Sequence, residues 1–354
     1  DHVYAAQVRA VLQPGETMTI AATTESRVNL NGSDAFAERL AYENDKLERA
    51  RTVFTVPLPE SIQQLILAAD QFVVQRPTPD DPDGRSIIAG YPWFSDFGRD
   101  TMIALPGLTL VTGRPEIAAS ILRTYAQYVD QGMIPNRFPD EGQDPEYNTV
   151  DATLWYVEAI RQYLAATSDL SLMAELYPVL VDIVEWHKRG TRYNIHMDDV
   201  DGLIYAGEAG VQLTWMDAKI DDWVVTPRIG KPVEVNALWY NALKMIVDIG
   251  RELGEDVAPY EALAQEVKAG FARFWNDEYG FCFDVLDTPS GEDDASLRPN
   301  QILAVSLPHS PLDYRQQQSI VNACGRNLLI AFGLRSLSPE DHQYIGRYGG
   351  DHYK

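Results

Sequence analysis

The chain of 354 residues is longer than a typical single domain, although one all-α toroid or one α/β barrel can use this length. Its formal charge of −23, from 52 acidic and 29 basic residues, would repel nucleic-acid phosphates and anionic lipids, which excludes both as partners. Hydrophobic residues make up 45%, enough for a large core, yet no run of about 18 apolar residues could cross a membrane. We therefore expect a soluble protein whose ligand is neutral, such as a sugar.

The two cysteines, Cys282 and Cys324, lie far apart in the sequence and predict two buried thiols that stay reduced inside a cell. The sequence has no Cys/His cluster with metal-ligand spacing, so we expect neither a metal nor another cofactor. The first residues, DHVYAAQ, lack the basic and apolar regions of a signal sequence. The chain is therefore predicted to be cytoplasmic.

The N-terminal part is predicted to contain strands. Residues 4–26 alternate apolar and polar side chains in short stretches, and a Pro-Gly turn interrupts them. A polar helix is predicted from about 33 to 50. We therefore expect residues 1–55 to hold a short β-segment, the end of a β-domain, followed by a linker helix. Residues 56–354 are expected to form a separate helical domain.

From about residue 60 onward the chain is predicted to be helical. Apolar residues recur at helical spacing in about nine segments, which begin near residues 61, 98, 114, 151, 170, 233, 260, 300 and 313. Long irregular loops are predicted near 75–97, 132–147, 190–232 and 277–299. The segments have no fixed sequence period, which excludes a simple solenoid. The alternation of long and short connections predicts an all-α fold, a closed (α/α) toroid in which one set of loops surrounds a single cavity.

Five loop segments bring aromatic residues together with carboxylates, amides and arginine, each close to the start of a predicted helix. They are residues 90–101, 133–156, 207–228, 230–243 and 298–308. Aromatic rings can pack on the C–H face of a sugar, while Asp, Glu, Asn and Arg hold its hydroxyls with fixed donor and acceptor directions. The substrate-binding candidates are Trp93, Asp96, Arg99, Asp100, Asn148, Asp151, Trp155, Trp215, Glu234, Asn236 and Trp239.

A purely structural interpretation of the same residues stays open. Arg99 and Asp100 could pair with each other and cap a helix, and Asn148 or Thr149 could be an N-cap. Glu234 could cap the next helix, and the tryptophans could belong to the core. Five weak signals at five helix starts nevertheless favour one binding site over five unrelated caps.

The segment LTWMDAKIDDW, residues 213–223, supplies the candidate for catalysis. Asp217 follows Trp215 by two residues, and an indole beside a carboxyl group excludes water and favours the protonated form that a general acid needs. The alternative is a solvated acidic loop that Trp215 anchors by packing. No GxSxG, GxxxxGKS/T or GxGxxG motif offers a competing chemistry.

Seven motifs resemble one known family and follow its order between about residues 85 and 350. They are GYPWFSDFGRDTMIALPGL, IPNRFPD, YNTVDATLWY, LTWMDAK, GKPVEVNALWYNAL, RPNQILAVSLP and GLRSLSP. The family is the amylo-α-1,6-glucosidase domain of glycogen debranching enzymes of the bacterial and archaeal type. The N-terminal segment resembles the end of the β-sandwich that precedes this domain.

The resemblance implies a toroid of six helix pairs that hydrolyses α-1,6-linked glucose at the branch points of glycogen and limit dextrin, with inversion at the anomeric carbon. It implies that Asp217 is the general acid and that Arg99 and Asp100 hold the hydroxyls of the glucose that is released. The remaining binding candidates would line the same pocket, and no metal or cofactor would be required.

One departure from the family pattern concerns the C-terminal end. After GRYGGD the family continues with an HQGTVW-type segment and further helices, which carry the general base, whereas this sequence ends at GGDHYK. We therefore expect the toroid to lack its last helices and this chain to be inactive. Two alternatives remain, namely another α/α-toroid glycosidase, similar to a glucoamylase or trehalase, and a glucan-binding module without catalysis.

Overall fold

The computed structural model describes residues 7–20, 31–78, 81–138, 144–347 and 349. These residues form two compact units, 1–68 and 69–354, and each is described by itself. Among the described residues, no helix combines the length and apolar character that crossing a membrane would require. Both cysteines are free and buried, as the sequence predicts.

The first unit is built around helix α1 (Gly32–Arg51), which confirms the predicted helix near 33–50. The side chain of Asn31 caps it by accepting from the backbone N–H of Ser33 at 3.1 Å. Helix α2 (Glu60–Asp70) follows, and its last two residues belong to the second unit. A small apolar cluster joins the end of α1 to α2, with Ala50, Leu58 and Ile66 at its centre. The two units divide after residue 68, and the predicted domain boundary near residue 55 stays a prediction.

The strands predicted for the N-terminal part do not form between residues 7 and 20. These residues are exposed throughout, and the structure has only a turn at Pro14 and Gly15 there. A strand needs a neighbouring strand for its backbone hydrogen bonds, and this segment pairs with none among the described residues. The rest of the predicted strand segment, residues 4–6 and 21–26, lies outside the described residues. Its origin in a β-sandwich stays a prediction.

Eight further helices form the second unit. They are α3 (Gly98–Leu105), α4 (Pro115–Gln127), α5 (Ala152–Thr167), α6 (Leu170–Arg189), α7 (Val233–Leu253), α8 (Ala258–Phe271), α9 (Leu303–Ser306) and α10 (Tyr314–Asn327). Together with α2 they give nine α-helices from residue 60 onward within the described ranges, which confirms the predicted number. One predicted helix is interrupted, because Pro106 has no N–H to continue the α-helical ladder and residues Pro106–Leu110 form a π-helix instead.

The helices of the second unit form two layers. Helices α3, α5, α7 and α9 contact one another in succession, while α4, α6, α8 and α10 each pack against a member of this inner row. Burial follows the layers, because α7 has 16 buried residues out of 21 and α10 has 2 out of 14. A helix that is apolar on every side belongs in the interior, and one with a narrow apolar stripe belongs at the surface. This double layer is the arrangement of the predicted toroid.

Among the described residues, short antiparallel strand pairs lie mostly in the loops that the sequence predicts to be irregular. They pair β1 (Val73–Gln75) with β2 (Arg85–Ile87), β3 (His196–Met197) with β4 (Ile204–Tyr205), β5 (Lys219–Ile220) with β6 (Trp223–Val224), β7 (Lys231–Pro232) with β10 (Val285–Leu286), β8 (Trp275–Asn276) with β9 (Phe281–Cys282), and β11 (Leu329–Ile330) with β12 (Gly333–Leu334). Strands of two or three residues are too short to show an alternating pattern, which is why the sequence does not reveal them.

Candidate active site

One buried arginine joins three segments of the chain at the N-terminal ends of α3 and α5. Arg99, in the first turn of α3, donates from Nε to both carboxylate oxygens of Asp151 at 2.8 and 3.0 Å. Its Nη1 donates to Oδ2 of Asp217 at 2.9 Å, and its Nη2 donates to Oγ1 of Thr149 at 3.1 Å and to the carbonyl oxygen of Leu213 at 3.2 Å. All three nitrogens are therefore in use, and the structure brings three of the predicted site residues into direct contact.

In this cluster the carboxyl groups outnumber the single guanidinium of Arg99, and they differ in exposure. Burial alone would lower the pKa of Arg99, but the carboxylates of Asp151 and Asp217 outweigh it and raise that pKa. Asp151 is 1% exposed and forms a buried ion pair with Arg99, whereas the side chain of Asp217 is 51% exposed and remains accessible to solvent. Two carboxylates contact the guanidinium of Arg99, and the carboxyl group of Asp100 interacts with it electrostatically. Such a site suits a ligand that is neutral or that develops positive charge.

The environment of Asp100 favours the protonated form of its carboxyl group. The surrounding protein atoms raise its pKa by desolvation, Arg99 offsets part of this, and the negative charges of Asp217 and Asp151 raise it further. The side chain nevertheless retains access to solvent. A carboxyl group that can be neutral beside a guanidinium can donate as well as accept, which is a useful property for holding sugar hydroxyls.

A second buried charge cluster lies where the loop before α7 meets the loop after β9. Arg228 donates from Nη2 to Glu234 at 2.7 Å and from Nε to Asp284 at 2.8 Å, and its Nη1 also donates to Glu234. Burial raises the pKa of Glu234, and Arg228 opposes that shift. The guanidinium of Arg298 lies 3.6 Å from Asp284. Two guanidiniums therefore balance two carboxylates in the interior, as burial of charge requires.

An amide connects this second cluster to the loop that carries Asp217. Asn300 donates from Nδ2 to Asp284 at 2.7 Å, and its Oδ1 accepts the indole N–H of Trp215 at 2.8 Å. Since Asp284 can only accept, it fixes which end of the amide faces Trp215. The segment from Trp215 to Asp217 is thus held by Asn300 at one end and by Arg99 at the other.

In the structure Trp215 contacts Asn300, whereas its position in the sequence predicts that it covers Asp217. The indole is 43% exposed and bonds to Asn300, while Asp217 is half exposed and bonds to Arg99. The expectation that Trp215 shields Asp217 from water is therefore wrong for this structure. The anchoring interpretation of Trp215 agrees with its hydrogen bond.

Several predicted binding residues bond to other parts of the protein and have no described contact with Asp217. Asp96 is 1% exposed, and its carboxylate accepts from Arg76 and, at 2.9 Å, from Ser86. Asn236 and Trp239 are fully buried, and both bond to the backbone of the β3–β4 hairpin. A buried polar group needs such partners, and here the protein supplies them. Their predicted contact with substrate, like that of the equally buried Glu234, stays a prediction without geometric support.

The three remaining predicted binding residues lie nearer the surface. Trp93 is 81% exposed at the loop before α3. Asn148 is half-buried, and its Oδ1 accepts from Asn136 at 3.2 Å. Trp155 is half-buried on α5 and packs against the main core. Trp93 and Asn148 are therefore accessible to a ligand.

Sequence reasoning missed Arg228, Asp284 and Thr149. Arg228 and Asp284 are 56 residues apart, and neither stands in a recognisable motif, so nothing in the sequence indicates that they pair. The sequence indicates Thr149 only as a helix cap, whereas its hydroxyl donates to Asp151 at 2.7 Å and accepts from Arg99.

One acidic group among the described residues has the spacing of metal ligands. Its members are Asp198, Asp201 and Asp287. The ammonium of Lys231 lies 2.8, 2.8 and 2.7 Å from the three carboxylates, and Arg273 pairs with two of them. Two cations of the protein itself therefore offset most of the charge of these three carboxylates. It ties the β7 segment to two loops and is a structural feature.

Comparisons with known proteins agree on family and fold. A model of the amylo-alpha-1,6-glucosidase family matches residues 67–354. The glycogen debranching enzyme of Saccharomyces cerevisiae is 25% identical over 351 aligned residues, which cover 74% of this chain and 23% of the yeast protein. The chain thus corresponds to about a quarter of that relative.

Two solved structures from Thermus thermophilus resemble the fold. An uncharacterised conserved protein has 17% identity and a TM-score of 0.58, covering 80% of this chain and 81% of that chain. A GH63 mannosylglycerate hydrolase in complex with glucose has 16% identity and a TM-score of 0.56, with the same coverage of 80% and 81%. These likenesses confirm the predicted all-α fold of the α/α-toroid type.

Proposed function

The chain belongs to the amylo-alpha-1,6-glucosidase family, and from this membership we propose that it hydrolyses α-1,6-linked glucose at the branch points of glycogen or a similar branched glucan. One observation carries the proposal. Arg99 forks between the buried Asp151 and the accessible Asp217 at the N-terminal ends of two inner helices. A preorganised, acid-rich pocket of this kind fits a glycosidase. A cytoplasmic location, where the two buried thiols would stay reduced, belongs to the same proposal.

Asp217 is the general acid of this proposal. It has to donate a proton to the glycosidic oxygen, and it must therefore turn from Arg99 toward the substrate. A hydroxyl of the bound glucose can accept the Nη1 hydrogen of Arg99 that Asp217 accepts at 2.9 Å in the free protein. Binding of the sugar would in this way release the carboxyl group that the reaction needs. Asp151 would keep Arg99 in place throughout, because its two contacts are buried.

The surplus of negative charge contributes to the same reaction. Glycosidic cleavage passes through a transition state with positive charge on the sugar ring. Asp217 gains a negative charge as it gives up its proton, and Asp151 already offsets the charge of Arg99, so the site favours positive charge on the ring electrostatically. Inversion further requires a second carboxylate about 6.5–9.5 Å from the acid, with a water molecule between. The resemblance to the family implies that this base lies in the helices that follow the GRYGGD motif.

The test is the release of free glucose from an oligosaccharide with one α-1,6-linked glucose branch. It uses the longest natural protein that contains this sequence. Asp217→Asn keeps the size of the side chain and removes the proton donor, and we expect hydrolysis to fall by about 10²–10⁴-fold. Asp222→Asn, an exposed neighbour on the same loop, serves as the matched control and should keep normal activity. Unchanged hydrolysis by Asp217→Asn would sink the assignment of the acid.

Substrate preference separates the proposal from its nearest alternatives. Branched substrate should be hydrolysed faster than linear α-1,4-linked chains or trehalose of the same glucose content. Faster hydrolysis of either linear glucan or trehalose would move the chain to a glucoamylase-like or trehalase-like activity. Glucan binding without any hydrolysis by the natural protein would identify a binding module.

A further inference from the structure

A large cavity lies beside the loop that carries Asp217, and neither the acid nor Arg99 belongs to its lining. Its volume is about 1080 Å³, somewhat above the range of about 300–1,000 Å³ that is usual for a small-molecule pocket. Met216 and Trp223, which stand on either side of Asp217 in the sequence, both line it. Two residues close to the candidate acid in the sequence therefore line the cavity, which can hold more than one sugar ring.

The lining is aromatic and hydroxyl-bearing, which suits a carbohydrate. Trp223, the first residue of β6, is 56% exposed, and Tyr344 adds a second ring from a distant part of the chain. Thr226, Ser290 and Ser296 add hydroxyl groups. Flat rings can pack on sugar faces, and hydroxyl groups can both donate and accept hydrogen bonds.

The charges around the cavity oppose an anionic ligand. Glu292, Asp293 and Asp294 contribute carboxylates to the lining. Arg228 and Arg298 also line it, but both are buried, and their guanidiniums face Asp284. With the chain at −23 overall, a phosphorylated or nucleic-acid ligand would meet net repulsion here.

We propose that this cavity binds the linear glucan chain that carries the branch, which is the leaving group of the cleavage. The inference rests on the proposed function, since it assigns the two sides of the scissile bond to two places. The glucose that is released lies at Arg99 and Asp217, and the chain from which it departs lies along Met216 and Trp223. Asp217, which stands between Met216 and Trp223 in the sequence, protonates the glycosidic oxygen that joins the released glucose to the glucan chain.

The first experiment is a titration of this chain with linear maltoheptaose, a probe that has no branch to hydrolyse. Trp223→Ala removes the exposed ring from the cavity, and we expect the dissociation constant to rise about tenfold. Tyr344→Ala should weaken binding in the same direction. Tyr314→Ala is the matched control, because Tyr314 is exposed on α10 and does not line the cavity. Circular dichroism of each variant establishes that it is folded.

The second experiment measures kcat/KM of the natural protein for two α-1,6-linked substrates, one with a long α-1,4-linked stem and one with a single glucose as the stem. Trp223→Ala should lose about tenfold on the long substrate and little on the short one. An equal loss on both, or an unchanged affinity for maltoheptaose, overturns the proposed site. If no variant and no wild-type protein releases glucose while Trp223→Ala still weakens maltoheptaose binding, the glucan site stands and the proposed hydrolysis fails.

Discussion

Replacement of Arg99 by methionine would remove the one charge that holds the candidate active site together. Methionine has a similar length and no charge, so the loss of packing is small. The substitution leaves the carboxylate of Asp151 at 1% exposure, with the hydroxyl of Thr149 as its remaining described partner. Asp217 loses the same partner but is 51% exposed and can be solvated by water. The cost of the substitution should therefore come almost entirely from Asp151.

The magnitude follows from these exposures. Breaking a buried ion pair by removing one partner costs about 3–5 kcal/mol, because the other charge is left uncompensated. An exposed pair contributes about 0–1 kcal/mol. We therefore expect Arg99→Met to lower the free energy of unfolding by about 3–5 kcal/mol. Adding Asp151→Asn removes the stranded charge, so the double variant should be more stable than Arg99→Met alone.

Urea denaturation of the purified chain checks this prediction. The matched control is Arg137→Met, because Arg137 pairs with Glu146 at 3.1 Å and both side chains are more than 40% exposed. The control should lose no more than about 1 kcal/mol. Equal losses in Arg99→Met and Arg137→Met, or a double variant no more stable than Arg99→Met, would refute the reasoning.

The remaining predictions concern protonation and the position of the loop. The folded state raises the pKa of Asp100, so its charged form is disfavoured and stability falls as pH rises above the unfolded pKa of 3.8. Asp100→Asn should therefore raise Tm at pH 7 and not at pH 3. A lower Tm of this variant at pH 7 would contradict the prediction. Arg273 and, to a smaller extent, Lys231 lower the pKa of Asp287 to about 2, so the stabilisation from this carboxylate is present above pH 3.8 and is lost as pH falls toward 2. Arg273→Gln should make the loss of stability with falling pH less steep in acid unfolding. An unchanged slope would count against this prediction. Trp215→Phe keeps an aromatic ring but removes the indole N–H that Asn300 accepts. We expect kcat of the natural protein to fall about tenfold or more with KM little changed, and a normal kcat would show that the bond does not position the loop.

The sequence predicts the helices well because their physical signal is local. Apolar spacing alone indicates α4, α6 and α8, each of which lies at the surface of the double layer and keeps a polar face. The same signal indicates α7, but it does not separate core from site there, because 16 of its 21 residues are buried and polar side chains such as Asn236 are among them. Asn236 and Trp239 therefore look like site residues in the sequence, although both bond to the protein backbone inside the core.

The candidate site could be predicted only in part because its contacts join distant residues. Arg99 and Asp217 are 118 residues apart, and the residue types at two helix starts indicate a shared site without giving its pairs. The pairing of Arg228 with Asp284 has no local signal at all. The structure also shows that Asp217 faces a guanidinium, whereas the sequence pattern indicates an indole beside it.

Dependence of the reaction on its leaving group tests the central claim most directly. A general acid matters when the leaving oxygen needs a proton, and it matters little when the leaving group departs as a stable anion such as fluoride. The measurement compares Asp217→Asn with the wild-type natural protein on a branched oligosaccharide and on α-glucosyl fluoride. We predict a loss of about 10²–10⁴-fold on the oligosaccharide and near-normal release of fluoride. Equal losses on both substrates would contradict the role of Asp217 as the proton donor.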